Sequence, residues 1–364
     1  MRGPHGVMSS EYMEWAKTFA HARFNLATSG VTPYPIGDLG VTLEDIDLSG
    51  PSLYGYEPLQ KALAVKCGVP VESVVAAVGT SLANHLAMAA VIRPGDEVVM
   101  EHPVYEPLLA LARYLGAEVK QFERRPEGGF RIDAQEVRRR VTARSRLIVI
   151  TNLHNPSGAL TDERTLAELG EIARGANARV LVDEVYLEMM WGKGARSSFH
   201  LGNEFIVTGS LTKAYGLSGL RCGWILAEPE LARRIWRLND LFVVIPAHPA
   251  ERLSVVALQR LERISVRARA LLERNRAVLE QFLDSRDDLQ TVRPASGTIL
   301  FPRWAGGDAE RLCALLRNKY ETAVVPGRFF GMPDHFRIGI GGETEVLKAG
   351  LDRLALALDD LAAT

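Results

Sequence analysis

Between about residue 70 and residue 230 the chain repeats one pattern: a short apolar run rich in β-branched residues, a turn, then an amphipathic stretch of helical period. The runs fall at 73–78, 97–100, 118–122, 147–151, 180–182, 205–208 and 223–227, with helical periods such as 82–92, 107–115 and 164–174 between them. Such runs lack the polar alternation of a strand with one wet face, so they read as strands covered on both sides in a mostly parallel sheet. The expectation is an α/β large domain whose mostly parallel seven-stranded sheet is covered by helices. From 229 to 283 long helical periods replace the strands, and 289–364 mixes short strands (297–301, 336–340) with helices, as in a smaller α+β domain. The first 45 residues hold Gly30, Pro33, Pro35, Gly37 and Gly40 and one helical stretch at 12–22, which suits an arm draped over the rest. The expected division is 1–45 as N-terminal arm and part of the small domain, 46–245 as the large domain, and 246–364 as interdomain helix and C-terminal small domain.

Composition narrows the class. The 364 residues are 47% apolar and 24% charged, ordinary for a folded protein. The 43 basic and 44 acidic residues leave a net charge of −1, so no global field draws nucleic acid or an anionic membrane. Cys67, Cys222 and Cys313 are too few and too scattered for a disulfide framework or a Cys-rich zinc site, and fit a reducing cytoplasm. No apolar run reaches a membrane span, and residues 1–17 carry no leader-like core, so the expectation is a cytoplasmic protein with no membrane and no nucleic-acid partner. The Arg138-Arg139-Arg140 run reads as a solvated helix face.

In an open parallel sheet, ligands gather at the carboxyl ends of the strands. The residues that come directly after the runs here are rich in chemistry. Gly79-Thr80-Ser81 opens a helical stretch and reads either as a phosphate cradle or as an ordinary turn and cap; no G-x-G-x-x-G and no Walker lysine accompany it. The run at 147–151 leads to Asn155-Pro156-Ser157-Gly158, where Asn155 is a turn former or a ligand contact. The run at 180–182 ends in Asp183-Glu184-Val185-Tyr186, and a carboxylate at the end of a buried strand needs a partner, which a cationic ligand group would supply. After 205–208 a glycine-rich loop presents Lys213 and, eight residues later, Arg221. His102 and His154 flank these loops without a carboxylate at ligand spacing and read as loop packing, so no metal is expected.

In this order and spacing the residues resemble the pyridoxal-phosphate-dependent aminotransferases of class I/II, the fold type I, aspartate aminotransferase-like group. The resemblance covers nearly the whole chain, from Tyr54-Gly55-Tyr56-Glu57-Pro58-Leu59, through the motifs at Asn155, Asp183 and Ser210-x-x-Lys213 with Arg221, to Pro326-Gly327 and Phe336-Arg337-Ile338. It implies pyridoxal 5'-phosphate as cofactor and Lys213 as the Schiff-base lysine that also moves the proton. It implies Asp183 as partner of the pyridine nitrogen, Asn155 and Tyr186 as partners of the ring hydroxylate, and Tyr105 as the aromatic stacked on the ring. The phosphate would be held by Gly79, Thr80 and Ser81, by Ser210 and by Arg221, and the substrate α-carboxylate by Arg337, with Asn155 and Gly30 alongside. A homodimer with shared active sites is implied too. Tyr54 is the candidate for the tyrosine that reaches the neighbouring phosphate, although the segment 49–54 is shorter than the family pattern.

The implied activity is transamination, in which an L-amino acid gives its nitrogen to the cofactor and a 2-oxo acid takes it away. The alternative on the same scaffold is elimination of a β or γ substituent, as in carbon–sulfur lyases or aminocyclopropane-carboxylate synthase-like members. A third reading, the ligand-sensing half of a transcription regulator, requires a DNA-binding domain that the non-basic 45-residue arm is too short to be. The apolar stretch 241–246 hints at a neutral or hydrophobic substrate side chain.

Overall fold

The computed structural model describes residues 8–191 and 195–363; the opening residues 1–7 lie outside them. All seven expected strands form, as β1 (Val74–Val78), β2 (Glu97–His102), β3 (Glu118–Glu123), β4 (Ser145–Thr151), β5 (Arg179–Asp183), β6 (Phe205–Ser210) and β7 (Cys222–Leu226). They make one sheet in the order β1-β7-β6-β5-β4-β2-β3. Its pairs are parallel except that β7 runs antiparallel to both neighbours.

The apolar runs are continuous because both faces are covered. Val98, Met100, Leu147, Val149, Leu181 and Ile206 point into one core. Their sequence neighbours Val99, Ile148, Ile150, Val180 and Val182 point into another, under the helices Ala134–Arg140 and Glu163–Gly175. Each aliphatic side chain so buried contributes about 1.5–3 kcal/mol, so the inner strands are held from both sides and a register slip would empty two cores at once; the edge strand β3 buries only Phe122.

This arrangement fixes one edge. Strands β1, β4, β5 and β6 all end there, and the register sets Thr151 opposite Asp183, Asp183 opposite Thr208 and Ser210 opposite Gly223. Because β7 is antiparallel it begins at that edge, so Arg221, the residue before it, joins the carboxyl ends of the others.

Helices that abut this edge include α1 (Glu11–Thr18), α2 (Gly79–Ala89), the one-turn α3 (Thr212–Tyr215) and the helix Glu106–Tyr114. Helix α1 is N-capped by Ser10 and is shorter than the stretch 12–22. Helix α2 starts at Gly79, three residues before the expected 82, directly on the end of β1. Gly79 has φ +78°, a conformation glycine adopts at little cost, and this turns strand into helix without a connecting residue. The C-terminal part carries a three-stranded antiparallel sheet of Ile299–Leu300, Phe336–Gly339 and Val325–Pro326. The N-terminal segment enters that part through Phe24–Asn25, which pairs in parallel with Thr322–Ala323.

Candidate active site

A cavity of about 280 Å³ opens at the carboxyl edge. The β1–α2 junction contributes Thr80, Ser81 and Asn84, the loops after β4 and β5 contribute Thr151, Asn155, Asp183 and Tyr186, and the β6–α3 junction contributes Ser210, Thr212 and Lys213. Arg221, Tyr105 and an apolar side of Pro107, Leu108, Leu111 and Val185 complete the wall, with Met13 of α1 and Ser29 closing it from the N-terminal segment.

One end of the cavity is built for an anion. The Thr80 hydroxyl is buried and has no partner among the described residues, and it sits in the first turn of α2, where backbone N–H groups lack intrahelical acceptors. Arg221 makes no ion pair among the described residues; one of its Nη atoms reaches the Ser218 carbonyl at 3.4 Å. Its backbone is left-handed (φ 51°), a strained conformation for an arginine, and this turns its guanidinium over Gly79. A Cβ on Gly79 would run into that guanidinium, and one on Gly223 would lie 2.6 Å from the Gly79 carbonyl carbon. Two glycines thus let the two chain segments and the arginine converge.

The floor is a carboxylate. Asp183 is buried, its Oδ2 accepting from Asn84 Nδ2 at 2.8 Å and its Oδ1 from the Val185 N–H at 3.1 Å. Asn84 is held in turn by Thr208, whose hydroxyl donates to Oδ1 at 2.6 Å. No cation is paired with Asp183 among the described residues. Burial pushes its carboxyl up to about 6, against the pull of Asn84, Val185 and the Lys213 charge. Asn84 lies one helical turn beyond Thr80 on the same face of α2, and that spacing from the Gly79-Thr80-Ser81 motif is the sequence signal that could have marked it.

Lys213 lies between floor and mouth. Its Nζ donates to Ser29 Oγ at 2.8 Å, and burial lowers its pKa below the ordinary lysine value. Tyr186 is buried beside it, its phenol raised by the same effect. Tyr105 forms part of the wall and meets the Tyr12 ring edge-on at 5.6 Å.

Behind the wall, Asn155 is tied to Arg337. The buried guanidinium donates from Nη1 to Asn155 Oδ1 at 2.9 Å and from Nη2 to the Tyr12 hydroxyl at 2.9 Å, while its Nε has no partner among the described residues. No carboxylate pairs with it among the described residues. With Oδ1 engaged, the part of the Asn155 amide left for a ligand is the donor Nδ2. The Asn155 loop is set by a buried chain: the Asn155 N–H donates to Thr151 Oγ1 at 2.8 Å, Thr151 Oγ1 donates to Glu101 at 2.7 Å, and Glu101 pairs with Arg124 at 2.7 Å. His154 packs under the same loop, bonded to the Pro103 carbonyl and Ser157 Oγ.

Residues 48–354 match the family described as aminotransferase class I and II. The chain belongs to this family. It is 33% identical to the capreomycidine synthase of Streptomyces vinaceus, over 96% of this chain and 93% of that protein. It is 27% identical to a probable aspartate/prephenate aminotransferase of Aquifex aeolicus, over 80% of this chain and 77% of that one. The solved structure of a PLP-dependent aminotransferase from Streptococcus suis superposes with a TM-score of 0.91 at 27% identity, covering 96% of this chain and 97% of that chain.

The aminotransferases of this family depend on pyridoxal phosphate, and the residues present fit that group. An unpartnered hydroxyl and an unpaired arginine suit its phosphate, and a buried carboxylate without a cation suits a protonated ring nitrogen. A lysine of lowered pKa lies between them, with an aromatic side chain in the wall. Of the residues expected at the site, Thr80, Ser81, Tyr105, Asn155, Asp183, Tyr186, Ser210, Lys213 and Arg221 line the cavity together.

Four others sit differently. Gly79 lies under Arg221, and Gly30 packs on Lys213, where a Cβ would be 3.4 Å from the lysine Cα and Cδ. Arg337 stands one hydrogen bond behind the wall, through Asn155. Tyr54 is outside this cavity, 53% exposed, with its ring against Trp236 and its hydroxyl toward Asp240. The stretch 241–246 does not line the cavity either; Leu241, Phe242, Val244 and Ile245 stand exposed, so that stretch gives the hint about an apolar substrate no footing in the cavity. Sequence reading missed Asn84, Tyr12 and the Glu101–Arg124 pair; it had Ser29, with Gly30 and Val31, only as part of a strip over the substrate, whereas Ser29 lines the cavity.

Proposed function

We propose that the protein is a pyridoxal-phosphate-dependent transaminase that moves an amino group from an L-amino acid to a 2-oxo acid. The observation that carries this reading is one cavity lined by an unpaired carboxylate, a lysine of lowered pKa and an anion end, in a chain of the aminotransferase family. When bound, pyridoxal phosphate supplies the electron sink for the pair left at the substrate α-carbon and carries the amino group between the two half-reactions.

In this reading Lys213 holds the cofactor, gives way to the substrate amine, and then moves the proton at the substrate α-carbon. Asp183 keeps the ring nitrogen protonated by offering it a negative charge in a site that excludes water. Asn155 and Tyr186 donate to the ring hydroxyl oxygen. Thr80, Ser81, Ser210 and Arg221 grip the phosphate, Tyr105 covers the ring, and Gly79 leaves room for Arg221. Arg337 receives the substrate carboxylate near Gly30. A homodimer is part of the same proposal, with Tyr54 at its interface, and so is a cytoplasmic location, supported by three unpaired cysteines. Among the described residues no helix is long and apolar enough to cross a membrane.

A second reading has its own observation. The 33% identical relative is named a synthase, not a transaminase, which favours elimination of a β or γ substituent followed by ring closure or release. Incubating the cofactor-loaded enzyme with a panel of L-amino acids, with and without a 2-oxo acid, separates the two. Transamination gives a 2-oxo acid from the donor and a new amino acid from the acceptor. Ammonia or a cyclised product formed without any acceptor replaces that reading with the second.

A further inference from the structure

Lys213 Nζ donates its hydrogen bond to Ser29, a residue outside the set that would hold the cofactor or the substrate. The serine is held from both sides. Its carbonyl accepts from Thr298 Oγ1 at 2.7 Å, and two residues on the Val31 N–H donates to the Lys213 carbonyl at 2.9 Å. Between them Gly30 lies against the Lys213 backbone on one side and leaves no room for a Cβ on Gly341 on the other. The hydroxyl is therefore aimed by backbone contacts to two separate parts of the chain. It is 7% exposed and lines the cavity together with Tyr186.

We propose that Ser29 is the positioning residue for proton transfer by Lys213, holding the freed amine so that its lone pair faces the substrate α-carbon. This rests on the proposed pyridoxal-phosphate chemistry. In the step it serves, the C–H bond at the α-carbon breaks, its proton forms a new N–H bond on Lys213, and the electron pair stays with the cofactor-bound substrate; the same N–H then breaks to deliver the proton onward. A long flexible amine has many rotamers in which its lone pair points elsewhere. One N–H fixed on Ser29 removes most of them, and the same contact stabilises the ammonium once the proton has arrived. The other groups that bear on the amine are Asp183 and Tyr12, which favour its charged form, and Arg337 and Arg221, which oppose it; Tyr186 stands beside them, and all remain in a Ser29 variant.

The test uses Ser29→Ala and Ser29→Thr, the second keeping the hydroxyl. In the cofactor-loaded enzyme, exchange of the amino-acid α-hydrogen for solvent deuterium is followed by NMR. Ser29→Ala should slow exchange about tenfold to a hundredfold, with KM and the visible spectrum of the lysine-bound cofactor little changed, and Ser29→Thr should recover most of the rate. In the cofactor-free protein, the pH dependence of Lys213 reductive methylation, read by mass spectrometry, should shift down by about one unit in Ser29→Ala, the size of a hydrogen bond to a charged group. Exchange within twofold of wild type in Ser29→Ala, a threonine variant no faster than the alanine one, or an unshifted methylation curve would each overturn the proposal. Wild-type enzyme that exchanges no amino-acid α-hydrogen would instead count against the proposed function, while the methylation curve would still decide the Ser29–Lys213 contact.

Discussion

At the scale of single residues, the site is a set of charges that the protein leaves unmatched. Asp183 is the clearest case, because burial holds its carboxyl at about 6 whereas an unfolded aspartate titrates near 3.8. The folded, cofactor-free protein therefore binds that proton more tightly than the unfolded chain does. Its stability falls as pH rises from about 4 to about 6, by roughly 3 kcal/mol for this group. Glu184, pushed by burial up to about 7, adds a slope of the same sign. Asp183→Asn should remove only the first slope while binding pyridoxal phosphate at least tenfold more weakly. Melting curves of the two proteins that stay parallel between pH 4 and 7.5 would show that Asp183 is not a buried charge awaiting a cation. Arg337 makes a complementary prediction. Arg337→Ala should raise KM for the amino acid about a hundredfold, the worth of two charge-assisted hydrogen bonds, with little change in cofactor affinity. Equal loss of both, measured by cofactor titration and initial rates, would mark a packing role instead.

At the scale of elements, the sheet edge collects the site because six strands end there and the antiparallel β7 begins there. The strands were legible in the sequence because burial on both faces writes them as unbroken β-branched runs; 147–151 and 205–208 admit little else. The start of α2 was not, since a helix that begins on a left-handed glycine gives no polar cap to read. For the same reason Gly79 is the element-scale prediction. Gly79→Ala forces a Cβ toward the Arg221 guanidinium at a φ that costs about 1–2 kcal/mol, so cofactor affinity should drop at least tenfold while the fold survives. Circular dichroism and cofactor titration check this, and unchanged affinity would remove Arg221 from the phosphate end. The residues that sequence missed, or placed without their partner as with Ser29, share a cause as well. Ser29 and Tyr12 reach the site through tertiary contacts from a segment nearly 200 residues away from Lys213 in the chain, and Glu101–Arg124 acts through Thr151, so no spacing rule links them to the motifs they support.

At the scale of the whole molecule, several large apolar side chains stand exposed. Tyr54 rests on Trp236, Phe242 meets His85 of α2 at 4.9 Å, and His85 meets Tyr114, while Leu241, Val244 and Ile245 stand exposed beside them. A patch of this kind, anchored on the helix whose first turn forms the anion end, suits the proposed dimer interface. Phe242→Glu with Val244→Glu should shift the protein to monomer in analytical ultracentrifugation and lower activity at least tenfold. A fully active monomer would separate the interface from the site.

The central claim is that Lys213 is the residue that holds the cofactor. Loading the purified protein with pyridoxal phosphate, reducing it with borohydride and mapping the modified peptide by mass spectrometry tests this directly. The pyridoxyl group should be found on Lys213 alone, and Lys213→Ala should carry no label and have no turnover. Label on another lysine, or normal turnover by Lys213→Ala, would contradict the assignment.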